Sequence, residues 1–336
     1  VKPPRMARLA LPLLLGVSAA SAAYTPPGLL ADLVELKQRE VARMKKLPEA
    51  REDGPWALRL AYPAAESSYH LGRALGWRRE TPVVLVDLKR SSPGDRLGAT
   101  VSVDPSMQVE AALSRAEAIG VAAALVCTDL PSYGCTWADL RAARTWAASR
   151  RGGGAAPLPL IAKDLFIDPL QIARAACEGA DAVLLVAAAC LADLSALLDT
   201  CTLVGVEALV EVHTPEELCV ATELGASLVL VTERDRATGQ LVSGQAAALA
   251  PAIPPDVVCL ACGDIRRLDQ VRTLRRAGFD GVVIGRMFGS LEGPLFAEQL
   301  MKEEPWQRVA EMVQVPRTAF DGEAEGGTPV PDESTL

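Results

Sequence analysis

The sequence of 336 residues predicts an α/β fold, a (β/α)8 TIM barrel with an N-terminal helical extension. The first observation behind this prediction is alternation: eight short apolar runs are each followed by a segment of helical character, within about 220 residues. The second is that several runs are apolar throughout, as is typical of strands in a parallel sheet that is buried on both faces. An open, doubly wound sheet is the alternative, although that fold rarely contains so many evenly spaced units.

The predicted strands are short and rich in Val, Leu, Ile and Ala. The first begins at Val83, and its apolar run ends in charged residues and a Ser-Ser-Pro-Gly turn at 91–94. The other seven cover residues 121–128, 158–162, 182–187, 208–212, 228–231, 257–261 and 281–284. These lengths lie within the usual range for strands of globular proteins.

The predicted helices separate these strands. They cover residues 107–119, 137–148, 169–178, 191–203, 245–250, 267–277 and 295–301, and a further one begins near Thr214. The Thr214 hydroxyl can cap that helix. Pro215 suits its first turn, where a backbone amide would have no partner within the helix.

The first 80 residues differ in character from the strand-helix units. Residues 1–23 contain basic residues, then a short apolar run, then small residues, the order of a secretory-type leader. The apolar part is too short to span a bilayer stably, so we expect a soluble mature protein without membrane contact, beginning near residue 23 or 24. Residues 24–80 form the predicted extension, with amphipathic helices over 29–46 and 69–75 that would cover one end of the next domain.

The remaining sequence divides into two parts. Residues 81–302 form the predicted catalytic barrel domain. Residues 303–336 form an acidic tail that contains Pro and Gly, and we expect this tail to be disordered.

Composition narrows the possible functions. Half of the residues are hydrophobic and the formal net charge is -8, which fits a globular protein and argues against a nucleic-acid partner. The two histidines, His70 and His213, are too few for a histidine-rich metal site. The cysteines form no disulfide framework, and the Cys259-x-x-Cys262 pair lies in a predicted strand, so it is weak evidence for zinc or redox chemistry. We therefore expect no metal site.

Charged residues follow the predicted strands at corresponding ends. Asp87 and Lys89 are two residues apart, so both side chains lie on one face of the first strand. An ion pair that caps the strand is the structural alternative to a functional site. In a barrel, however, Lys89, Lys163, Glu211 and Arg234 would all converge on one mouth, and four such charges favour a functional site.

Several segments of the sequence resemble the indole-3-glycerol-phosphate synthase family. They are LVDLKRSSP at 85–93, IAKDLFIDPLQI at 161–172, GADAVLL at 179–185, LVEVH at 209–213, and Gly225-Ala226 followed by Arg234-Asp235. The similarity runs from about residue 28 to 301, and the segment at 161–172 is its most specific part. GADA-type motifs occur in many barrels and add little alone.

The resemblance implies a cofactor-free ring closure in tryptophan biosynthesis, in which carboxyphenylamino deoxyribulose phosphate loses carbon dioxide and water. It implies Lys163 as the general acid, Lys89 as a second catalytic lysine and Glu211 as the general base. Independently of the resemblance, a buried mouth shared with other cations is expected to lower the pKa of Lys163. Asp87 stands at the position where the family has a glutamate in its first strand. The small phosphorylated substrate is the expected partner.

Substrate-binding positions follow from the same resemblance. Arg234 corresponds to an arginine near the anionic end of the substrate, and Ser92 to a serine of the first loop. Thr232 stands where the family has asparagine, and Cys262-Gly263-Asp264 stands where it has Glu-Ser-Gly. The phosphate is expected near Gly263 and Gly285, as in many barrels of this kind.

Two of these differences change charge near the phosphate. Asp264 would oppose phosphate binding unless its side chain points away, and Arg286, next to Gly285, could supply a compensating cation. Reduced activity is therefore one expectation. A barrel lyase or isomerase with a changed substrate and a non-catalytic structural subunit are the alternatives to a working synthase.

The compartment follows from the leader and the resemblance together. Export makes little sense for a biosynthetic enzyme, so we expect a plastid that is reached through the secretory route. A secreted or a cytoplasmic protein is the alternative. The sequence does not predict an oligomeric state.

Overall fold

The structure is a computed structural model of the chain. It describes residues 28–64, 69–76, 82–90, 105–150, 157–285 and 303–314. The predicted leader at 1–23 and the predicted helix at 295–301 lie outside these residues. In the described part of the chain, no helix is long and apolar enough to cross a membrane.

Eight parallel strands close into a barrel, which confirms the predicted fold class. They are β1 Val83–Leu88, β2 Ala123–Cys127, β3 Leu160–Lys163, β4 Ala182–Val186, β5 Glu207–Val212, β6 Leu228–Thr232, β7 Val258–Cys262 and β8 Gly281–Ile284. Each strand pairs with its neighbours in the sequence, and β1 closes the barrel against β8, with Val84 opposite Val282.

Strand alternation decides which side chains fill the barrel. The interior cluster contains Val83, Leu85, Leu125, Ile161, Leu184, Leu209, Leu230 and Leu260. Val84 and Val86 point the other way and join the larger core that lies between the sheet and the surrounding helices. Asp87 therefore shares the inward face with Leu85 and continues that row towards the mouth.

Helices surround the sheet in the order that the sequence predicts. Those that follow the strands are α4 Pro105–Ala118, α5 Leu130–Tyr133, α6 Trp137–Ser149, α7 Pro169–Cys177, α8 Ala187–Cys190, α9 Leu194–Val204, α10 Pro215–Glu223, α11 Gln245–Leu249 and α12 Leu268–Arg276. Thr214 caps α10 as predicted, because its hydroxyl accepts from Glu217 N at 3.2 Å. The short helices α5 and α8 were not predicted, since one turn carries no clear periodicity.

The N-terminal extension covers both ends of the barrel rather than the one end that was predicted. It consists of α1 Leu29–Met44, α2 Pro55–Ala61 and α3 His70–Leu75. Leu71 and Leu75 of α3 are fully buried in the interior cluster, at the end where the strands begin. Glu207, at the start of β5, holds α3 by accepting from Leu71 N at 2.7 Å and Gly72 N at 2.9 Å. The first helix, α1, lies at the opposite end.

Pro55 opens α2, a helix that the sequence analysis did not predict, because proline is well accommodated in a first helical turn. The prediction of a disordered tail from residue 303 was wrong. Residues 303–313 form the helix α13 Glu303–Val313 instead of a disordered tail. Its Trp306, Val309 and Met312 are buried at helical spacing, and it packs against α12 and β1. The remaining tail beyond residue 314 lies outside the described residues.

Candidate active site

A cavity of about 180 Å³ opens at the mouth of the barrel, where the carboxyl ends of the strands meet. The sequence-predicted residues that line it are Asp87, Lys89, Lys163, Glu211, Thr232, Arg234, Cys262, Gly263 and Gly285. The structure therefore brings these residues, from six of the strands and their following loops, into one cavity. The predicted Ser92 and Arg286 lie outside the described residues.

Asp87 is the link between the two lysines. Its Oδ2 atom lies 2.7 Å from Lys163 Nζ and 3.1 Å from Lys89 Nζ, and all three side chains are buried. Asp87 and Lys89 share a face of the first strand and its extension, whereas Lys163 ends β3. Although Asp87 replaces a longer glutamate of the family pattern, its shorter side chain reaches both ammonium groups.

The two lysines differ in their proton affinity. Burial alone would lower the pKa of Lys163, but the adjacent Asp87 carboxylate outweighs it and raises that pKa above the usual value. The sequence-based expectation of a lowered pKa for Lys163 was therefore wrong. Burial, together with the nearby charge of Lys163, lowers the pKa of Lys89, and Asp87 offsets this only in part. Lys163 is thus the firmly protonated lysine, and Lys89 loses its proton more readily.

Glu211 has a partner that the sequence analysis missed. Arg236, in the loop after β6, places its Nε 2.5 Å from Glu211 Oε1, and Glu211 is almost fully buried. Burial opposes the charge of Arg236, but the Glu211 carboxylate raises its pKa. Arg236 lies 25 residues from Glu211, so spacing within one strand gives no indication of the pair.

Arg234 precedes Arg236 by two residues in the same loop and has different contacts. Its Nη1 donates to Gly239 O at 2.5 Å, and its backbone N donates to Thr232 Oγ1 at 3.2 Å. These bonds shape the loop after β6, while the Arg234 side chain also lines the cavity. Thr232 is buried at the end of β6, so its hydroxyl supports this loop.

The loop after β7 contains a glycine that backbone and packing both require. Gly263 has φ 136°, and a Cβ atom there would lie 2.6 Å from Glu233 Cβ. Asp264 follows with φ 46°, and its carboxylate accepts from Arg266 Nε at 2.7 Å. This ion pair offsets the charge that the sequence analysis expected to oppose a phosphate. Cys262 lies beside this loop. Its burial is the main cause, and the nearby Glu211 carboxylate the second, of a thiol pKa raised to about 11.

The helix α1 is attached to the mouth by a buried lysine that was also missed. Lys37 Nζ lies 2.5 Å from Asp129 Oδ1 and 2.7 Å from Asp164 Oδ1, in the loops after β2 and β3. It also lies 2.7 Å from Glu40 Oε2 within the helix. Leu29, Leu33 and Leu36 of the same helix line the cavity. An amphipathic pattern predicted α1, but only the fold reveals that its lysine points into the mouth.

The mouth combines groups that can donate and accept protons. A firmly protonated lysine, a second lysine of lowered pKa and a buried glutamate lie around one small cavity beside further cations. Within the described ranges, no group of three or more His, Cys, Asp or Glu side chains is arranged to hold a metal ion. The fold is that of a TIM barrel, and the groups at its mouth are of the kinds that serve acid-base chemistry and contact anions.

Comparisons with known proteins identify the family. The family model described as indole-3-glycerol phosphate synthase matches residues 30–293. A protein of that name from Micrococcus luteus is 33% identical over 246 residues, which cover 72% of this chain and 85% of the relative. One from Chlorobium phaeovibrioides is 31% identical over 258 residues, 76% of this chain and 92% of the relative. The chain belongs to the indole-3-glycerol phosphate synthase family.

Proposed function

We propose that the chain is an indole-3-glycerol phosphate synthase, a lyase of tryptophan biosynthesis. It would convert carboxyphenylamino deoxyribulose phosphate to indole-glycerol phosphate, carbon dioxide and water. The observation that carries this proposal is the buried Lys163-Asp87-Lys89 group in the cavity, with ammonium to carboxylate distances of 2.7 and 3.1 Å. Family membership supports the same reaction.

Lys163 is the proposed general acid of the first step. The ring carbon that bears the substrate carboxylate attacks the ribulose carbonyl carbon, and a carbon-carbon bond forms. The carbonyl oxygen becomes a hydroxyl by taking a proton from Lys163 Nζ. The raised pKa of Lys163 keeps its side chain protonated before the substrate arrives, and it also makes the ammonium a weaker acid, so the contact with Asp87 has to loosen as the proton is transferred.

Loss of carbon dioxide and water completes the reaction. The carboxylate leaves as carbon dioxide, and the electrons of the broken bond restore the aromatic ring. The new hydroxyl then leaves as water with a proton from an ammonium group, and Glu211 accepts the proton that is released as the indole ring becomes aromatic. Lys89 is suited to moving protons between these steps, because its pKa is lowered.

The anionic groups of the substrate need cations and backbone amides. We assign the carboxylate to Arg234 with Lys89, and the phosphate to the loops after β7 and β8 at Gly263 and Gly285. The Asp264-Arg266 ion pair supports this assignment, since it reduces the negative charge beside the phosphate loop.

We further propose that turnover is slower than in relatives with the usual residues of the family. Thr232 and Cys262 are shorter than the asparagine and glutamate that the family pattern has at these positions, so they offer the substrate fewer hydrogen bonds. The Asp87 carboxylate reaches both lysines and so preserves the central charge arrangement.

The test is formation of indole-glycerol phosphate from the carboxyphenylamino substrate, followed by product fluorescence. Lys163→Met is the control variant, since it keeps the length of the side chain and removes the ammonium. Turnover by the purified chain that disappears in Lys163→Met is the expected result. A folded protein without turnover would contradict the proposed activity.

One observation favours a second candidate, a barrel lyase or isomerase with a changed substrate. Arg236 forms an ion pair with the Glu211 carboxylate in the cavity, so the proposed base already has a partner before the substrate binds. Calorimetric titration with the carboxyphenylamino substrate distinguishes the candidates. Binding without product formation would indicate that the chemistry has changed, and absence of binding would point to a non-catalytic barrel.

We also propose a plastid location for the mature chain. The support is the order of basic, apolar and small residues within 1–23. The test is to fuse residues 1–23 to a fluorescent protein in an alga whose plastid is reached through the secretory route. Fluorescence in the plastid is expected, and fluorescence confined to the cytosol or the medium would contradict the proposal.

A further inference from the structure

Tyr133 lies beneath both lysines of the mouth. It ends the short helix α5, and its ring centroid is 5.0 Å from Lys163 Nζ and 5.9 Å from Lys89 Nζ. An ammonium group over an aromatic ring within about 6 Å is attracted by the negative face of the ring. One aromatic side chain thus contacts two cations that the proposed reaction uses.

The two lysines next to the Tyr133 ring carry more positive charge than the neighbouring carboxylate can neutralise. Lys163 and Lys89 both contact the one carboxylate of Asp87, so the buried group holds one positive charge more than its carboxylate neutralises. Cys127 Sγ lies 3.6 Å from Asp87 Oδ1, but burial and the Asp87 charge raise the pKa of its thiol, so it stays neutral. The nearby Glu211 is already paired with Arg236. The negative face of the Tyr133 ring lies beside this excess positive charge.

The backbone around Tyr133 is fixed relative to the end of β1. Tyr133 O accepts from Arg90 N at 2.9 Å, and Arg90 directly follows Lys89 in the chain. The Arg90 guanidinium is itself held by Asp139 at the start of α6, with Nη2 to Oδ1 and Nη1 to Oδ2 distances of 2.5 and 3.0 Å. Both side chains of that pair are buried. The ring is therefore anchored next to the residues that it contacts.

The other side of the Tyr133 turn is attached to β3 and α1. Tyr133 N donates to Asp129 O at 3.1 Å, and the Asp129 carboxylate caps the turn by accepting from Ser132 N at 2.8 Å. The second oxygen of that carboxylate binds Lys37, which also binds Asp164, the residue after Lys163. Tyr133 is thus connected to both lysine-bearing strands through backbone and side-chain bonds.

We propose that Tyr133 is a positioning residue whose ring holds the ammonium groups of Lys163 and Lys89 in the mouth and favours their charged forms. This inference rests on the proposed synthase function and adds a residue to it. The ring, rather than the hydroxyl, carries the effect. A phenylalanine at this position should therefore preserve the function of Tyr133, whereas an aliphatic side chain of similar bulk should not.

Two variants separate the ring from the hydroxyl in an activity measurement. Tyr133→Phe keeps the aromatic face and should retain kcat within about threefold. Tyr133→Leu should lower kcat about tenfold, the size expected for a desolvated cation-π contact, with a smaller change in KM. Circular dichroism and thermal unfolding establish that both variants fold. Equal losses in the two variants, or full activity in Tyr133→Leu, would overturn the proposal.

A second measurement needs no turnover. Competitive acetylation of the intact protein without substrate, followed by mass spectrometry, reports how readily each lysine gives up its proton. At fixed pH, Lys89 should be acetylated about threefold to tenfold faster in Tyr133→Leu than in the unchanged protein and in Tyr133→Phe. Exposed Lys46 provides the internal reference. Unchanged Lys89 reactivity would overturn the proposal, whether or not the protein makes indole-glycerol phosphate.

If the protein lacks synthase activity but the Lys89 reactivity changes as expected, the proposed function fails while the positioning role stands. If the protein is active and both variants match the unchanged chain in kcat and in Lys89 reactivity, only the positioning role fails. The two proposals are thus distinguishable.

Discussion

Arg236 and Glu211 form an ion pair at the mouth of the barrel, with Arg236 Nε 2.5 Å from Glu211 Oε1. Glu211 is almost fully buried, and Arg236 is exposed over less than a fifth of its side chain. The proposed base is therefore neutralised by a neighbour that the protein itself supplies. The pair must open, or exchange partners with the substrate, before Glu211 accepts a proton.

Removing one partner should cost more stability than removing both. Arg236→Leu leaves a buried carboxylate without its partner and should lower the free energy of unfolding by about 2 to 3 kcal/mol. Adding Glu211→Gln should restore about 1 kcal/mol or more, because the unpaired charge is gone. Denaturant unfolding of both single variants and the double variant measures this coupling. If the stability loss of the double variant equals the sum of the two single losses, the ion pair makes no coupled contribution and the prediction is wrong.

Asp87 should make stability depend on pH. Its burial would raise the pKa, but the ammonium groups of Lys163 and Lys89 outweigh this and hold the pKa well below its usual range. A depressed pKa stabilises the folded state above the unfolded value of about 3.9, and this contribution is lost as the pH falls towards the folded pKa.

The Asp87→Asn variant isolates that contribution. It should be about 3 kcal/mol less stable than the unchanged protein at pH 7, because two buried ammonium groups lose their carboxylate. The difference should shrink below about pH 4. Urea unfolding across this range is the measurement, and exposed Asp256→Asn is the matched control with little expected effect. A difference that stays constant down to pH 2 would contradict the linkage.

Much of the site was predictable because strand geometry is local. The i, i+2 spacing of Asp87 and Lys89 places both on one face of a strand and its extension, and the inward row through Leu85 determines which face. The repeated apolar runs predicted the barrel, and the barrel brings Lys163 and Glu211 to the same mouth. These inferences need only the period of the strand and the topology of the fold.

The partners across loops could not be predicted in the same way. Asp87 and Lys163 are 76 residues apart, and only their 2.7 Å contact reverses the expected direction of the Lys163 pKa. Arg236 lies in a loop and Tyr133 ends a helix of a single turn, and neither setting has a periodicity that determines the direction of a side chain. The helix at 303–313 was missed because its acidic composition concealed the helical spacing of Trp306, Val309 and Met312.

Lys37 should stabilise the packing of α1 against the mouth of the barrel. Burial disfavours its charge, but the carboxylates of Asp164 and Asp129 raise its pKa and hold it protonated. Lys37→Met leaves these two buried carboxylates without their cation, so the protein should lose about 3 kcal/mol of stability. The KM for the proposed substrate should also rise, because leucines of α1 line the cavity.

Hydrogen exchange tests whether the change is local. Amides of residues 29–44 should exchange faster in Lys37→Met, with a smaller change in the strands. Lys46→Met, at an exposed position just beyond α1, is the matched control. Uniform exchange across the chain, or a control that behaves like the variant, would argue against a local attachment.

Gly285 should be sensitive to the addition of a single methyl group. A Cβ atom at this position would lie 3.0 Å from Asp87 Oδ2, the oxygen that contacts both lysines. Gly285→Ala should displace that carboxylate and lower kcat about tenfold or more, with a stability loss of about 1 to 2 kcal/mol. Product fluorescence and urea unfolding measure the two effects.

Gly278→Ala provides the contrasting case. Gly278 has φ 107°, and a methyl group added there would meet no atom within 4 Å beyond its chain neighbours, so alanine strains the backbone without touching the mouth. This variant should lose about 1 to 2 kcal/mol of stability and keep its kcat. If both variants lose turnover in proportion to stability, the contact between Gly285 and Asp87 has no specific effect on catalysis. A loss of kcat confined to Gly285→Ala would place the spacing between β8 and the Asp87 carboxylate among the requirements of the reaction.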